Sequence, residues 1–280
     1  MDHAEGEPAM SYRDIARRRV EQFATDSSAT GCWARIRRQS VAQGLLARIQ
    51  NPNLISQRGT PTCAPASFMR AIASSKPHDY ATFVINLFKY GYAYLNDLNV
   101  TADQKLRRIA SPGNCHDADW IPLSSIRNSD NVVFSMASDW SRSIAGITMP
   151  SSLADWMRRA GFIDVREDTY ISSATKPIPT AVALNLSAAN RRYNQGYKVM
   201  LFINADLLDA DEQDNSTVIP NHWVALAGPI SDGGVVSYDS NLRTRVWSWG
   251  SEYDIPVRSS KPITKREFLS KYFGHVAGRF

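Results

Sequence analysis

The feature that most constrains the fold of this chain is a change of pattern near Gly196. Upstream, apolar residues recur at helical spacing over about 12–24, 33–49, 63–74, 80–95, 152–160 and 179–194. Downstream, short runs rich in β-branched and aromatic residues occupy 197–204, 221–228, 235–239 and 245–249. Helices first and strands last predict an α+β fold, in which a helical N-terminal half packs on a C-terminal antiparallel β-sheet.

The length of 280 residues allows one large domain, or one domain with an extension. The turn at Asn51-Pro52-Asn53 predicts a helical N-terminal extension over 1–50 and a main domain over 51–280. No apolar run approaches the roughly 20 residues of a membrane span, so we expect none. The first eight residues lack the basic and apolar parts of a signal peptide. We therefore expect a protein that is made in the cytoplasm. Secretion or delivery into a target cell would have to use a route that needs no classical signal peptide.

The charge and cysteine content exclude several classes of function. There are 32 basic and 27 acidic residues, giving a net charge of +5, and the basic runs at 17–19 and 35–38 are short and lack interleaved aromatic residues. Such runs are typical of solvated helix faces, so we expect no nucleic-acid partner. Cys32, Cys63 and Cys115 form no CxxC pair, which indicates a reducing compartment without a disulfide framework.

The clearest candidate for chemistry is Cys63, which lies where a Gly- and Pro-containing loop becomes an amphipathic helix. The positive end of the helix dipole and its free N–H groups favour thiolate over thiol, so we expect a lowered pKa for Cys63. Gln57, six residues earlier, is placed to help hold a developing oxyanion. The simpler alternatives are a small buried cysteine and an ordinary loop amide.

A candidate base and a candidate acid follow in the C-terminal half. His222 begins an apolar strand and is suited to deprotonate Cys63. The alternative is a histidine with a structural role only, satisfied by hydrogen bonds, which would show the same sequence pattern. Asp239 closes the next predicted strand, from which a carboxylate can fix the imidazole tautomer across a hairpin. The alternatives are that Asp239 only caps a turn, or that Asn241 is the orienting group.

The Cys115-His116 pair is a weaker candidate, for a metal site or a rival nucleophile. Adjacent residues cannot readily share one tetrahedral ion, and no second ligand pair stands at zinc spacing. No phosphate-binding or dinucleotide-binding loop is present either. We therefore predict no metal and no cofactor.

Together these residues resemble the papain-like cysteine peptidase superfamily. The resemblance rests on Gln-x5-Cys at the head of a helix, a strand beginning Asn-His, and an acid on the strand after it. The run QGYKVMLFIN followed by NHWVALAGPISDGGVVSYDS is most similar to bacteriocin-processing peptidases and to papain-like bacterial effectors and toxins. Departures from the papain pattern include Ala64-Pro65 directly after the cysteine and an acid in place of asparagine.

The resemblance implies a catalytic set and an activity. Cys63 would be the nucleophile, His222 the general acid and base, Asp239 the orienting residue, and Gln57 with the backbone N–H of Cys63 the oxyanion hole. The implied activity is that of a peptidase or amidase acting through a thioester on a protein or peptide, with an immunity or host protein as a further partner. The alternatives are a protein glutamine deamidase or transglutaminase, and an inactive papain-like binding module.

Overall fold

A computed structural model of the protein describes residues 10–26, 30–58, 60–130, 147–171, 176–208, 219–231, 237–256 and 262–280. Its helices are α1 (Tyr12–Thr25), α2 (Arg38–Gln50), α3 (Cys63–Ser75), α4 (Pro77–Tyr90), α5 (Asp117–Asp130), α6 (Pro150–Arg159), α7 (Pro179–Asn194) and α8 (Lys265–Lys271). Its strands are β1 (Tyr92–Leu95), β2 (Leu98–Thr101), β3 (Ile163–Thr169), β4 (Lys198–Ile203), β5 (His222–Leu226), β6 (Asn241–Leu242), β7 (Thr244–Ser248), β8 (Ser251–Ile255), β9 (Ile263–Thr264) and β10 (Tyr272–Arg279).

Six strands form one antiparallel sheet in the order β3-β10-β4-β5-β7-β8. Its two faces carry separate apolar cores, because side chains alternate along each strand. In β4, Met200 and Phe202 belong to the core shared with α3, whereas Val199 and Leu201 belong to the core beneath α7 and α8. The predicted α+β class, with a helical N-terminal half and an antiparallel C-terminal sheet, is confirmed.

The first two helices are part of the main core. Val20 and Phe23 of α1 and Leu45 of α2 are buried with residues of α3, α4 and α5. Phe23 meets Phe88 of α4 edge to face, with ring centroids 5.5 Å apart. Residues before and after position 50, where the sequence predicts the end of an extension, therefore share one core.

The predicted helix over 80–95 is wrong in its last part. α4 ends at Tyr90 because Gly91 adopts a left-handed conformation, with φ at 77°. The following Tyr-Ala-Tyr-Leu run has the two-residue alternation of a strand, with the tyrosines exposed and Ala93 and Leu95 buried, and forms β1, which pairs with β2.

The C-terminal strands also differ from the prediction. β5 pairs with β7 in the register Ala225 opposite Trp247, whereas the sequence predicts a strand over 235–239 beside it. Residues 232–236 lie outside the described residues, and 237–239 form no strand. The sequence did not predict β10, which pairs with both β3 and β4. β10 contains Gly274, Ala277 and Gly278, residue types that strands disfavour.

Candidate functional site

Cys63 is the first residue of α3, and the loop before it is tightly held. The carbonyl of Gln57 accepts hydrogen bonds from the backbone N–H of Thr60 at 2.8 Å and from its hydroxyl at 2.7 Å. Thr62 makes no side-chain cap, because its hydroxyl lies 2.6 Å from that of Thr60 instead. The hydroxyl of Thr62 therefore does not cap the N–H groups at the start of α3, next to the thiol.

One small cavity brings together three of the four predicted catalytic residues. It has a volume of about 100 Å³ and is lined by Gln57, Thr60, Pro61, Cys63, Ile147, Asn221, His222 and Trp249. The packing of α3 against β5 produces this arrangement, since the helix begins with Cys63 and the strand begins with His222. The structure therefore brings Gln57, Cys63 and His222 to one cavity.

Gln57 carries an unsatisfied amide at the edge of this cavity. Its side chain is 2 % exposed, and Oε1 is buried without a hydrogen-bond partner. Leaving such an atom unpaired typically costs about 1–3 kcal/mol. Amide oxygen and nitrogen are assigned from the hydrogen-bond network, so a flip of the Gln57 amide would place its NH2 group at the unpaired position. In that orientation the NH2 group would be a donor for a ligand oxygen beside Cys63.

His222 is fixed on two sides. Its Nε2 lies 2.7 Å from the hydroxyl oxygen of Ser248 at the end of β7. The indole of Trp249 stacks on the imidazole, with ring centroids 4.7 Å apart and planes 30° apart. Burial lowers the pKa of His222 to about 4, so the ring is neutral at pH 7. With Nε2 engaged by Ser248, Nδ1 is the nitrogen left to exchange a proton.

The thiol of Cys63 does not have the lowered pKa predicted from its helix position. Burial raises the pKa of Cys63, and the backbone N–H groups of Trp223 and Ala64 and the charge of Arg127 oppose that rise without cancelling it. No hydrogen bond joins Cys63 to His222 among the described contacts. The prediction of a thiolate is therefore wrong for this state, because desolvation outweighs the helix terminus.

Arg127 is a buried cation whose charge acts on the Cys63 thiol. It is 4 % exposed on α5, and its Nη1 donates to the hydroxyl of Thr148 at 3.1 Å. The carbonyl of Thr148 accepts from the indole N–H of Trp223 at 3.0 Å. Arg127 is thus held by Thr148, and its charge favours the thiolate form of Cys63.

Asp239 is not placed beside His222, contrary to the prediction. Its side chain is 82 % exposed and pairs with Arg266 at 3.2 Å. Asn241, the alternative orienting residue, lies in β6 and lines a different cavity. Both predictions depend on β5 pairing with 235–239, whereas β5 pairs with β7. That pairing delivers Ser248 to the imidazole, and the sequence holds no local signal for it.

A buried ion pair supports the loop that carries Gln57. The guanidinium of Arg48 in α2 makes two hydrogen bonds of 2.6 Å to the carboxylate of Asp119 in α5. Asp119 also accepts the backbone N–H of Ser56 at 3.1 Å, next to Gln57. On the other side of the loop, Gly250 packs closely against Ser56, since a Cβ added at Gly250 would lie 3.0 Å from the Cβ of Ser56. The loop is therefore held between α5 and the β7–β8 turn.

The Cys115-His116 pair is used structurally. The thiol of Cys115 donates to the carbonyl of Ser56 at 3.5 Å, and Nδ1 of His116 accepts the backbone N–H of Ala118 at 3.1 Å. Among the described residues no three His, Cys, Asp or Glu side chains form a group that could hold a metal ion.

None of the helices in the described ranges has the length and apolar character needed to cross a membrane. Comparison of the chain with protein-family profiles, with curated proteins and with solved structures finds no match.

Proposed function

We propose that this protein is a cysteine hydrolase of papain-like type that cleaves an amide through a thioester. The observation that supports this proposal best is the shared cavity of Gln57, Cys63 and His222, in which Oε1 of Gln57 is buried without a hydrogen-bond partner. A nucleophile, a base and an oxyanion donor within one small cavity are the minimum set for acyl transfer.

The proposed reaction begins from the neutral pair. Nδ1 of His222 takes the proton of the Cys63 thiol as Sγ attacks the carbonyl carbon of the substrate. The carbonyl oxygen becomes an oxyanion, which accepts hydrogen bonds from the Gln57 amide and the backbone N–H of Cys63. The imidazolium then donates its proton to the leaving nitrogen and the C–N bond breaks, which leaves a thioester and a free amine.

Water completes the cycle. His222 takes a proton from the water as its oxygen attacks the thioester, and then returns a proton to the sulfur as the acid product leaves. Ser248 would keep Nε2 engaged throughout and so hold the ring orientation. A serine hydroxyl supplies no negative charge to the imidazolium, so we expect weaker stabilisation than a carboxylate gives.

The size of the cavity favours a second candidate within the same chemistry. About 100 Å³ is smaller than the roughly 300–1,000 Å³ typical of small-molecule sites, but is suited to a narrow group such as a side-chain carboxamide. A protein glutamine deamidase or transglutaminase attacks such a group. A peptidase acting on an extended main chain would first require Trp249 or Ile147 to move.

A third candidate is an inactive binding module with a papain-like scaffold. The raised pKa of Cys63 and the missing hydrogen bond to His222 favour it. It predicts that Cys63 reacts with alkylating reagents no faster than free cysteine does.

The products of reaction with protein substrates distinguish these candidates. Wild type and a Cys63→Ala variant are incubated with a protein extract, and new N-termini and released ammonia are quantified. New N-termini that require Cys63 support the peptidase, and ammonia release without cleavage supports the deamidase. Cys32→Ala, which removes a cysteine outside the cavity, is the matched control. Equal product from wild type and Cys63→Ala contradicts both enzymatic candidates.

The cellular role is part of the same proposal. We propose a bacterial effector or toxin that acts on a protein in a target cell and is paired with an immunity or host protein. Expression of wild type inside a target cell would then arrest growth, whereas Cys63→Ala would not. Arrest that persists in Cys63→Ala contradicts an enzymatic toxin.

A further inference from the structure

A second cavity lies further along the face of α3 that carries Cys63. It has a volume of about 520 Å³, and α3 contributes Ser67, Arg70, Ala71 and Ser74 to its wall. The ends of α7, β4 and β5 form the rest of the wall. It shares no lining residue with the cavity of Cys63. It is therefore a separate feature that the proposed hydrolysis does not use.

Two cations converge on this cavity. Lys198 lies on the same side of β4 as Met200 and Phe202, which pack towards α3. The pKa of Lys198 is lowered by burial and by the nearby charge of Arg70. Two like charges held close together are unfavourable unless an anion lies between them. No described residue that lines this cavity is acidic.

The two cations differ in how they are held. Arg70 is fixed, because its Nε donates to Asn53 at 2.8 Å and its guanidinium lies over the ring of Trp247, 5.2 Å from the centroid. Arg70 also forms an ion pair with Glu252, with Nη2 3.6 Å from Oε1. Within the described part of the chain, no carboxylate lies within salt-bridge distance of the ammonium of Lys198.

Ser67 adds an independent indication of a ligand. Its side chain is 1 % exposed, lines the cavity, and has a hydroxyl with no hydrogen-bond partner. A serine in a helix can usually bond the carbonyl four residues earlier, so an unpaired buried hydroxyl is unusual. A hydroxyl that can donate, beside two cations, is a donor set suited to an oxyanion.

We propose that Ser67, Arg70 and Lys198 bind the phosphate group of a small phosphate monoester, whose organic part occupies the rest of the cavity. A phosphate monoester carries about −1.5 to −2 charges at pH 7, which matches two cations. Met200, Ala225 and the ring of Tyr193 supply apolar wall for the organic part.

Calorimetric titration of the full chain tests this site. The probes are phenyl phosphate, inorganic phosphate and succinate, a dicarboxylate of similar charge, at low salt and up to about 10 mM. We expect saturable binding of phenyl phosphate, with inorganic phosphate weaker and succinate weakest. Absence of saturable binding, or succinate binding more tightly than phenyl phosphate, would overturn the assignment.

Variants locate the binding. Lys198→Met should weaken phenyl phosphate binding about tenfold or more, and Ser67→Ala several-fold, because each removes one hydrogen bond to a charged group. Lys198→Arg keeps the charge and should retain most of the affinity. Lys176→Met, which removes a lysine from outside the cavity, should bind as wild type does. Equal weakening by Lys198→Met and Lys176→Met would show nonspecific attraction and overturn the proposal.

Discussion

Nε2 of His222 lies 2.7 Å from the hydroxyl of Ser248, which occupies the position where a carboxylate was predicted. Both residues are buried, and the contact joins the start of β5 to the end of β7. The hydroxyl can accept a hydrogen bond from Nε2–H, which leaves the lone pair on Nδ1. The proposed reaction requires this tautomer, and the contact with Ser248 is compatible with it.

Ser248→Ala should impair His222 without unfolding the protein. Loss of a buried hydrogen bond typically costs about 1–3 kcal/mol of stability, and an imidazole no longer held at Nε2 should slow alkylation of Cys63 several-fold. Urea denaturation and mass spectrometry of the alkylated cysteine measure the two effects. Ser251→Ala, across the same hairpin, is the control. An unchanged alkylation rate in Ser248→Ala would argue against a positioning role.

Trp249→Asn should keep the hairpin turn while removing the indole that stacks on His222. Trp249 and Gly250 have φ of 47° and 82° in a two-residue hairpin, where asparagine is favoured and a bulky residue is strained. Relief of that strain should offset much of the lost packing, so we expect a stability change within about 1 kcal/mol. Exposure of the imidazole should move the pKa of His222 up from about 4 towards its usual value, which NMR titration measures. A pKa that stays near 4 would show that Trp249 does not shield the ring.

Asp119 tests the support of the Gln57 loop. Asp119→Asn leaves Arg48 buried without its charge partner, and we expect a loss of about 3–5 kcal/mol in unfolding free energy. The double variant Arg48→Met with Asp119→Leu should recover much of that stability, because it removes both buried charges.

The double variant still lacks an acceptor for the N–H of Ser56. We therefore expect alkylation of Cys63 to be slower in the double variant than in wild type, even though stability returns. Denaturation and alkylation of the same samples provide the comparison. Recovery of both properties together would show that the ion pair contributes to stability alone.

Acid should destabilise the fold through His222. The pKa of this residue is about 4 when folded and about 6.5 when unfolded, so the unfolded state takes up its proton first as the pH falls. Its contribution to stability is complete above about pH 6.5 and is lost as the pH falls towards 4. Between pH 7 and 4.5 that loss is roughly 2–3 kcal/mol.

Urea denaturation of wild type and His222→Gln at both pH values measures this contribution. His275 is also buried and has a pKa of about 3, so it contributes to the loss of stability at acid pH in both proteins. The variant should lose about 2–3 kcal/mol less than wild type over this range. Equal losses would contradict the burial of a neutral His222.

Local pattern was enough to predict much of the fold and part of the site. α7 matches its predicted range, and Cys63 begins α3 as expected. These features depend on helix periodicity and on Gly and Pro signals, which act over a few residues. Gln57 and His222 were found because each lies beside such a boundary.

The pairing of strands distant in the chain could not be predicted from the sequence. Ser248 and Asp239 are both polar residues at strand-like positions, and only the register of β5 with β7 decides which one reaches His222. The pKa of Cys63 was missed for a related reason. The helix terminus is visible in the sequence, whereas the desolvation that outweighs it comes from the packing of distant elements.

The rate of alkylation of Cys63 by iodoacetamide at pH 7 tests the central claim most directly. Iodoacetamide is a carboxamide small enough for the cavity, and Cys115, with a pKa raised to about 12, is an internal control. The account predicts that Cys63 reacts faster than Cys115 and that His222→Ala slows it about a hundredfold, as expected for loss of a general base. A rate at Cys63 that is the same in wild type and His222→Ala would contradict the claim that these residues act together.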